Sequence, residues 1–342
     1  MTQSMRCGVC VSPGAFRVET RPAPATAPEG WVLVDIAAVG LCGTDFHIFE
    51  GKHPYLAYPR IIGHELSGMV AETAHGWTAG QRVVVNPYVA CGTCRACRRG
   101  KPNCCAAIGV LGVHRDGGLC DRIAAPAGNL YDAGSLSARE AALVEFLAIG
   151  AHAVRRADLA PGDRVLVNGA GPIGLGVALF ARLAGAEAHL RDASPARLAA
   201  VGAAFGFDRL HGIEGDLLAG DLAEGFDAVF DATGNATAMQ AGFAHVAHGG
   251  TYVLVSVVTE EIAFSDPEFH KREMRLIGSR NALAEDFATV IAALEAGRID
   301  AGALISEVLA LPDLPERLPA LAADRGARIK VMVELRPEGA AA

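Results

Sequence analysis

The sequence contains no long apolar run and no extended basic block. Its longest uncharged stretch, Val165 to Ala181, is interrupted by glycines and falls short of the ~20 apolar residues that span a bilayer. The longest basic cluster is Arg98 to Lys101, in a chain whose formal net charge is −8. We therefore expect no membrane segment and no nucleic-acid partner, because nucleic-acid binding needs a basic surface.

The sequence also lacks the features of an exported, disulfide-bonded protein. Residues 1–10 contain a single arginine and no apolar run comparable to the core of a signal peptide. Five of the nine cysteines lie between Cys91 and Cys105, and none follows Cys120. Such crowding favours thiolate ligation of a metal in a reducing compartment over disulfides, so we expect a cytoplasmic protein.

The length of 342 residues predicts two domains. Up to about Tyr131, short β-rich runs are separated by Gly, Pro and Asn, which predicts a mostly β domain. From Asp163 onwards, apolar strands alternate with helical segments, a pattern typical of an α/β fold with a parallel sheet. Predicted segments of this second part are strands at Arg164–Asn168, Ala188–Arg191, Phe226–Phe230, Tyr252–Val257 and Leu276–Ser279, and helices at Ile173–Leu183 and Pro195–Phe205.

The first motif is a cysteine loop with the spacing C-x2-C-x2-C-x7-C, formed by Cys91, Cys94, Cys97 and Cys105. Four thiolates in so short a loop can close a tetrahedral zinc site, and closed sites of this kind are structural. Cys104 is adjacent to Cys105 and is an alternative fourth ligand. Cys7 and Cys10 have no second pair nearby, so we assign them no role.

The second motif joins Cys42 to the His64-Glu65 pair. A thiolate and an imidazole are two of the three protein ligands that a catalytic zinc needs, with the fourth position left for substrate. Taken alone, however, these two segments fit ordinary packing and surface residues as well as a metal site.

The third motif is a strand that leads into Gly169-Ala170-Gly171-Pro172-Ile173-Gly174 and then into a helix. Such a turn lets a pyrophosphate approach the helix N-terminus, where unpaired amide hydrogens attract anions. Asp192 follows the next strand, where a carboxylate can bind the ribose 2′-hydroxyl of NAD and repel the 2′-phosphate of NADP. The neighbouring Arg191 leaves NADP open, because arginine can accommodate that phosphate.

Over essentially its whole length, the sequence resembles the zinc-containing medium-chain alcohol dehydrogenase family. The segment Gly63 to Gly68 with Ala74, the cysteine loop and the turn at Gly169 to Gly174 occur in that family's order, while Trp77 departs from its zinc signature. The resemblance implies a Rossmann domain that binds NAD at residues 150–281. It also implies a discontinuous, mostly β, GroES-like catalytic domain at residues 1–149 and 282–342.

The resemblance implies two zinc ions per subunit, one structural and one catalytic. Cys42 and His64 would hold the catalytic zinc, with Glu65 as a transient ligand. Glu145 would be the third ligand, directly or through water, because Ala141 to Leu147 is similar to the polyol and sorbitol dehydrogenase branch. Thr44 and His47 would carry the alcohol proton. Cofactor-binding residues would be Gly169, Gly171, Pro172, Ile173, Gly174, Asp192 and Arg197.

Two further segments, Cys97 to Cys105 and Val110 to Gly118, resemble the branch that contains L-galactonate and L-gulonate 5-dehydrogenases. The resemblance implies oxidation of an L-hexonate at C5. Because a sugar acid carries a carboxylate, a cationic partner is expected. Our candidates are Arg115 and Arg280, with His114 as a hydroxyl partner; a structural role fits each of them equally well.

Several alternatives remain at this point. Sorbitol- or xylitol-type and threonine-type dehydrogenases share every zinc and cofactor residue named above. A non-enzymatic binding protein with the same fold would be expected to lack one of Cys42, Thr44, His47 or His64, and all four are present. We expect a homodimer or homotetramer, in which a strand at Glu261–Ser265 pairs with a second subunit.

Overall fold

The computed structural model of the chain describes residues 3–53, 56–323, 326 and 328–336. The chain divides into two units, Met1–Glu145 with Phe287–Ala342, and Phe146–Asp286. None of the described helices combines the length and the apolar character needed to cross a bilayer.

The described strands, numbered along the chain, belong to both units. They are β1 (Ser4–Ser12), β2 (Ala15–Pro22), β3 (Trp31–Leu41), β4 (Arg60–Ile61), β5 (Glu65–Val70), β6 (Arg82–Val85), β7 (Tyr88–Val89), β8 (Gly109–Val110), β9 (Arg122–Pro126), β10 (Leu130–Asp132), β11 (Arg164–Asn168), β12 (Glu187–Arg191), β13 (Leu210–His211), β14 (Phe226–Asp231), β15 (Val246–Leu254), β16 (Arg275–Gly278), β17 (Ile305–Ala310) and β18 (Lys330–Glu334).

The described α-helices are mostly short. They are α1 (Gly43–Phe49), α2 (Arg95–Arg98), α3 (Ala138–Ala142), α4 (Val144–Ala157), α5 (Pro172–Leu183), α6 (Pro195–Phe205), α7 (Ala236–Gly242), α8 (Asp266–Lys271), α9 (Ala284–Glu295), α10 (Ala301–Leu304) and α11 (Leu314–Ala323).

Strand β3 organises the first unit. It is almost entirely buried and pairs antiparallel with β5, β9 and β18 in a sheet whose order is β10-β6-β5-β3-β18-β17. Within this sheet Gly40 lies opposite Glu65, and Leu41 lies opposite Val331. The register therefore brings the end of β3, the start of β5 and the start of β18 to the same place.

The second unit contains a six-stranded parallel sheet with the order β13-β12-β11-β14-β15-β16. This is the strand order of a Rossmann fold, in which ligands bind beyond the carboxyl ends of the strands where the order reverses. Here the reversal lies between β11 and β14. The turn that begins at Gly169 directly follows β11, so it is located at that point.

The predicted segments of this unit agree well with the structure, with one exception. Strand β11 and helix α6 have the predicted bounds, and Leu276 lies in the edge strand β16. The prediction of a strand at Glu261–Ser265 is wrong for the isolated chain, where these residues are irregular. The predicted partner of this segment is a second subunit, so that pairing stays a prediction.

Candidate zinc centres and cofactor-binding turn

The structure gathers the four cysteines of the loop. Ligand atoms of Cys91, Cys94, Cys97 and Cys105 all lie within 4.8 Å of one another. The Cys94 and Cys97 sulfurs are 3.5 Å apart, and the Cys91 amide donates to the Cys105 sulfur at 3.2 Å. Cys104 is exposed and lies outside this group, which favours Cys105 as the fourth ligand.

The surroundings of these sulfurs suit a metal. Hydrogen bonds from Thr93, followed by one from the Cys94 amide, lower the pKa of Cys91 to about 6. Burial raises the pKa of Cys97 to about 12, so without a metal the four groups do not all ionise together at neutral pH. A bound zinc ion stabilises all four thiolates at once. The donor set and its spacing therefore fit a structural zinc.

Cys42 and His64 also meet, although 22 positions separate them in the chain. The Cys42 sulfur is 2.9 Å from His64 Nε2. Cys42 is the N-cap of α1, where its sulfur accepts a hydrogen bond from the Thr44 amide at 3.2 Å. A sulfur at this position can serve as a metal ligand.

Asp45 was not predicted from the sequence, yet its carboxylate lies beside both of these groups. Its fully buried carboxylate accepts hydrogen bonds from the Cys42 and Gly63 amides, each at 3.0 Å. One of its oxygens is 3.7 Å from His64 Nδ1, the ring nitrogen that does not face Cys42. A carboxylate on that side of the ring is the usual outer partner of a metal-bound histidine.

Two further carboxylates complete the group. His64, Glu65 and Glu145 offer ligand atoms within 4.8 Å of one another, and all three residues are buried. Glu145 accepts a hydrogen bond from the Tyr88 hydroxyl, and burial raises the pKa of Glu145 to about 7. Glu65 is bound at one oxygen by Lys330, at 2.6 Å. Tyr88 and Lys330, which contact these two carboxylates, were also not indicated by the sequence.

These residues fit a zinc ion on two observations. Glu65 Oε2 is buried and has no hydrogen-bond partner among the described residues. Burial alone would lower the pKa of His64, but Cys42 and then Asp45 raise it well above its usual value, so the group favours a positive charge. A thiolate, an imidazole and a carboxylate are a donor set that zinc accepts. We call Cys42, His64, Glu65 and Glu145 the Cys42 group.

The two predicted proton-transfer residues lie on α1, which begins next to Cys42. Thr44 and His47 are three positions apart and so lie on the same side of that helix. Thr44 is half-buried beside the Cys42 sulfur, whereas His47 is exposed. A half-buried hydroxyl followed by an exposed imidazole is an arrangement that can move a proton towards solvent.

The glycine turn has the backbone geometry that its motif predicts. Gly169 has φ +94°, and a Cβ atom at Gly174 would lie 1.7 Å from the Gly169 carbonyl oxygen, so neither position tolerates a side chain. At Gly171, by contrast, a Cβ atom would meet nothing within 4 Å. Gly171 caps α5, and no side chain caps its first turn. This open, uncapped helix N-terminus fits a pyrophosphate.

Asp192 lies beside the turn. Its buried carboxylate accepts hydrogen bonds from the Ala170 and Ser194 amides, each at 2.8 Å. Arg197 donates to the same carboxylate at 3.1 Å. The Arg191 guanidinium, by contrast, donates to the Gly212 and Ile213 carbonyls. Asp192 and Arg197 therefore act as a pair, while Arg191 is held by neighbouring backbone.

Asp231, which was not predicted from the sequence, lies near the glycine turn. This fully buried residue ends β14, and its Oδ1 accepts hydrogen bonds from the hydroxyls of Thr233 and Ser256, each at 2.9 Å. Burial raises the pKa of Asp231. Thr233 in turn lies against Gly169, because a Cβ atom there would be 3.1 Å from the Thr233 amide nitrogen. The signal available in the sequence was that Asp231 directly follows the predicted strand Phe226–Phe230.

The three predicted substrate residues are placed differently from one another. His114 is exposed, and its Nδ1 accepts a hydrogen bond from the Val110 amide at 3.1 Å. The Arg115 guanidinium lies 5.9 Å from the centre of the Trp31 ring, a cation–π contact that holds this side chain without any substrate. Arg280 is an exposed residue of the second unit.

Comparison with family models gives two matches. Residues 28–135 match the alcohol dehydrogenase GroES-like domain. Residues 172–296 match the zinc-binding dehydrogenase domain.

Individual relatives extend these matches over most of the chain. L-galactonate-5-dehydrogenase of Escherichia coli K12 is 42% identical, over 89% of this chain and 91% of its own length. The solved structure of the alcohol dehydrogenase rspB from Escherichia coli CFT073, which contains NADH, has a TM-score of 0.89 and 27% identity, covering 97% of this chain and 99% of its own. A zinc-binding dehydrogenase from Sinorhizobium meliloti, which contains NADP, has a TM-score of 0.87 and 26% identity, with the same coverage.

Proposed function

Because the chain belongs to the zinc-binding alcohol dehydrogenase family, we propose that it oxidises a secondary alcohol of a sugar acid and transfers the hydride to NAD. The observation that carries the proposal is the Cys42 group, in which His64 belongs to two clusters of potential ligands. It lies with Cys42 and Asp45 in one cluster, and with the buried carboxylates of Glu65 and Glu145 in the other. The similarity to a dehydrogenase of L-galactonate supports an L-hexonate substrate, such as L-galactonate or L-gulonate, oxidised at C5.

In this proposal Cys42, His64 and Glu145 hold the catalytic zinc, and the four cysteines of the loop hold a structural one. Bound zinc supplies Lewis-acid chemistry that lowers the pKa of an alcohol, as it lowers that of water to about 7. The Asp45 carboxylate lies 3.7 Å from the imidazole Nδ1, and Tyr88 holds the Glu145 carboxylate by its hydrogen bond. Burial of these groups keeps water from competing with the substrate.

The proton of the alcohol leaves through α1. Thr44 accepts it at its hydroxyl oxygen while giving up its own hydroxyl proton, and that proton reaches solvent by way of His47, which is exposed. His114 is a candidate partner for a hydroxyl group of the substrate, and Arg280 is a candidate partner for its carboxylate. Arg115 is the weaker candidate for the carboxylate, because its contact with Trp31 already accounts for its position.

Turnover of matched substrates tests this function. Zinc-replete protein is incubated with NAD and L-galactonate, L-gulonate, sorbitol, xylitol or L-threonine, and NADH is followed by its absorbance. We expect the two hexonates to be turned over with a kcat/KM about tenfold or more above that of sorbitol, which lacks the carboxylate, because a charged hydrogen bond contributes about 1.5–3 kcal/mol. If only sorbitol and xylitol are turned over, the substrate is a polyol rather than a sugar acid. If only L-threonine is turned over, the threonine-type alternative is indicated.

Asp192 is proposed to set the preference for NAD. Asp192→Asn removes the negative charge but keeps an oxygen for the Ala170 amide, so we expect the ratio of kcat/KM for NAD to that for NADP to fall about tenfold or more, because like charges in contact cost several kcal/mol. Glu187→Gln is the matched control. That carboxylate lies at the start of β12, the strand that Asp192 directly follows, but it pairs with His189 and Arg209, so the ratio should stay as in the wild type. An unaltered ratio in Asp192→Asn would mean that another residue reads the ribose.

We also propose a homo-oligomer in the cytoplasm. The exposed apolar residues Val257, Phe264 and Leu276, all of the second unit, are consistent with contact to another copy of the chain.

A further inference from the structure

Lys330 is a buried lysine that the zinc chemistry described above does not use. It is 1% exposed, and it is the single lysine or arginine that is buried among the described residues. It begins β18, next to Val331, which pairs with Leu41 on β3. Its ammonium group donates to Glu65 Oε1 at 2.6 Å and lies 3.4 Å from the Leu41 carbonyl oxygen.

Gly40 makes this contact possible. Strand β3 lies between β18 and β5 in the sheet, so the Lys330 side chain has to reach across it to meet Glu65. Gly40 is the residue of β3 that pairs with Glu65, and a Cβ atom there would lie 2.1 Å from Glu65 Oε2. The Glu65 carboxylate therefore lies over bare backbone, with one oxygen held by Lys330 and the other without a partner.

A purely structural role explains the pair poorly. Burying two charges costs a large desolvation free energy, and apolar residues of similar volume often stabilise a protein equally well. Removing the lysine alone would leave a buried carboxylate with no compensating charge, a few ångströms from the donor atoms of His64 and Glu145. At a site that holds zinc, the metal is the nearest cation to which this carboxylate can turn.

We propose that Lys330 is a positioning residue of the Cys42 group: by holding Glu65 Oε1 it keeps Glu65 an exchangeable ligand of zinc rather than a permanent one. The position that Glu65 would otherwise fill is thereby left for the substrate. This inference rests on the proposed zinc function of the Cys42 group.

The test compares zinc release and the ligand field of the same site. In Lys330→Met, Glu65 becomes a permanent ligand, so release of zinc from the Cys42 group to a chromophoric chelator should slow about tenfold, the low end of what changes in outer-shell partners do to metal affinity. With Co²⁺ exchanged into that site, the visible d–d absorption bands should shift, because the Glu65 carboxylate would replace the exchangeable fourth ligand. Lys330→Arg, which keeps the charge, should behave as the wild type does.

The double variant Lys330→Met with Glu65→Gln separates positioning from a general effect of charge. It lacks the carboxylate, so the wild-type Co²⁺ spectrum should return. Lys330→Gln is the substitute if Lys330→Met does not fold, and the same direction is expected. Zinc release at the wild-type rate or faster, with an unchanged Co²⁺ spectrum, would overturn the proposal and leave Lys330 a structural residue.

The zinc content of the wild type shows whether a negative result concerns the role of Lys330 alone or the proposed function as well. If the wild type holds a single zinc ion, in the cysteine loop, then the catalytic zinc site and the role of Lys330 are both wrong. If it holds two and the Lys330→Met spectrum is unchanged, only the role of Lys330 is wrong.

Discussion

Replacing Cys42 with serine is expected to remove one of two zinc ions per chain and to lower kcat/KM about a thousandfold or more. The Lewis acid accounts for several kcal/mol of transition-state stabilisation, and each 1.36 kcal/mol is a factor of about ten in rate. The protein should stay folded, because the four-cysteine group is separate and β3 does not depend on the sulfur. Metal analysis measures the zinc content, NADH formation measures the turnover, and circular dichroism shows whether the protein is folded.

Cys104→Ser is the matched control for this substitution. Cys104 is exposed and lies outside the four-cysteine group, so the same chemical change there should leave both zinc ions and the turnover in place. Wild-type turnover in Cys42→Ser would mean that Cys42 is not part of the catalytic site. Loss of both zinc ions together would instead indicate that the two sites depend on each other.

Replacing Cys94 with serine is expected to lower thermal stability more than turnover. The segment from Cys91 to Cys105 contains a helix of only four residues, α2, and few buried side chains, so zinc supplies most of what orders it. We expect loss of the other zinc ion and a fall in Tm of about 10 °C, since a loss of ~3–5 kcal/mol shifts a domain of this size by that amount.

Thermal unfolding with metal analysis of the unheated sample measures this effect. Cys104→Ser again serves as the control, and its Tm should equal that of the wild type. A Cys94→Ser protein with the wild-type Tm and both zinc ions would show that the four cysteines do not hold a structural metal.

The Rossmann unit was largely predictable because its signals are local. The buried run from Val165 to Asn168, the glycine turn and the helix that follows it are contiguous, so periodicity and turn chemistry suffice to place β11 and α5. The cysteine loop was predictable for the same reason, since all four ligands lie within 15 positions. The wrongly predicted strand at Glu261–Ser265 has the composition of a strand but lacks a partner within the chain.

The Cys42 group could be predicted only in part, because its members come from distant parts of the chain. Glu145 was assigned through family resemblance, since nothing in its own helical sequence indicates a ligand. Lys330 lies 265 positions from Glu65 and is the first residue of an otherwise ordinary apolar strand. Its role follows from the register of β18 on β3, which no local pattern encodes.

Anomalous scattering at the zinc edge from crystals of the zinc-replete protein tests the central claim most directly. The account predicts two peaks per chain, one among the sulfurs of Cys91, Cys94, Cys97 and Cys105, and one in contact with Cys42, His64 and Glu145. A single peak, confined to the four-cysteine group, would contradict the account, because the Cys42 group would then be a buried cluster of charges without a catalytic metal.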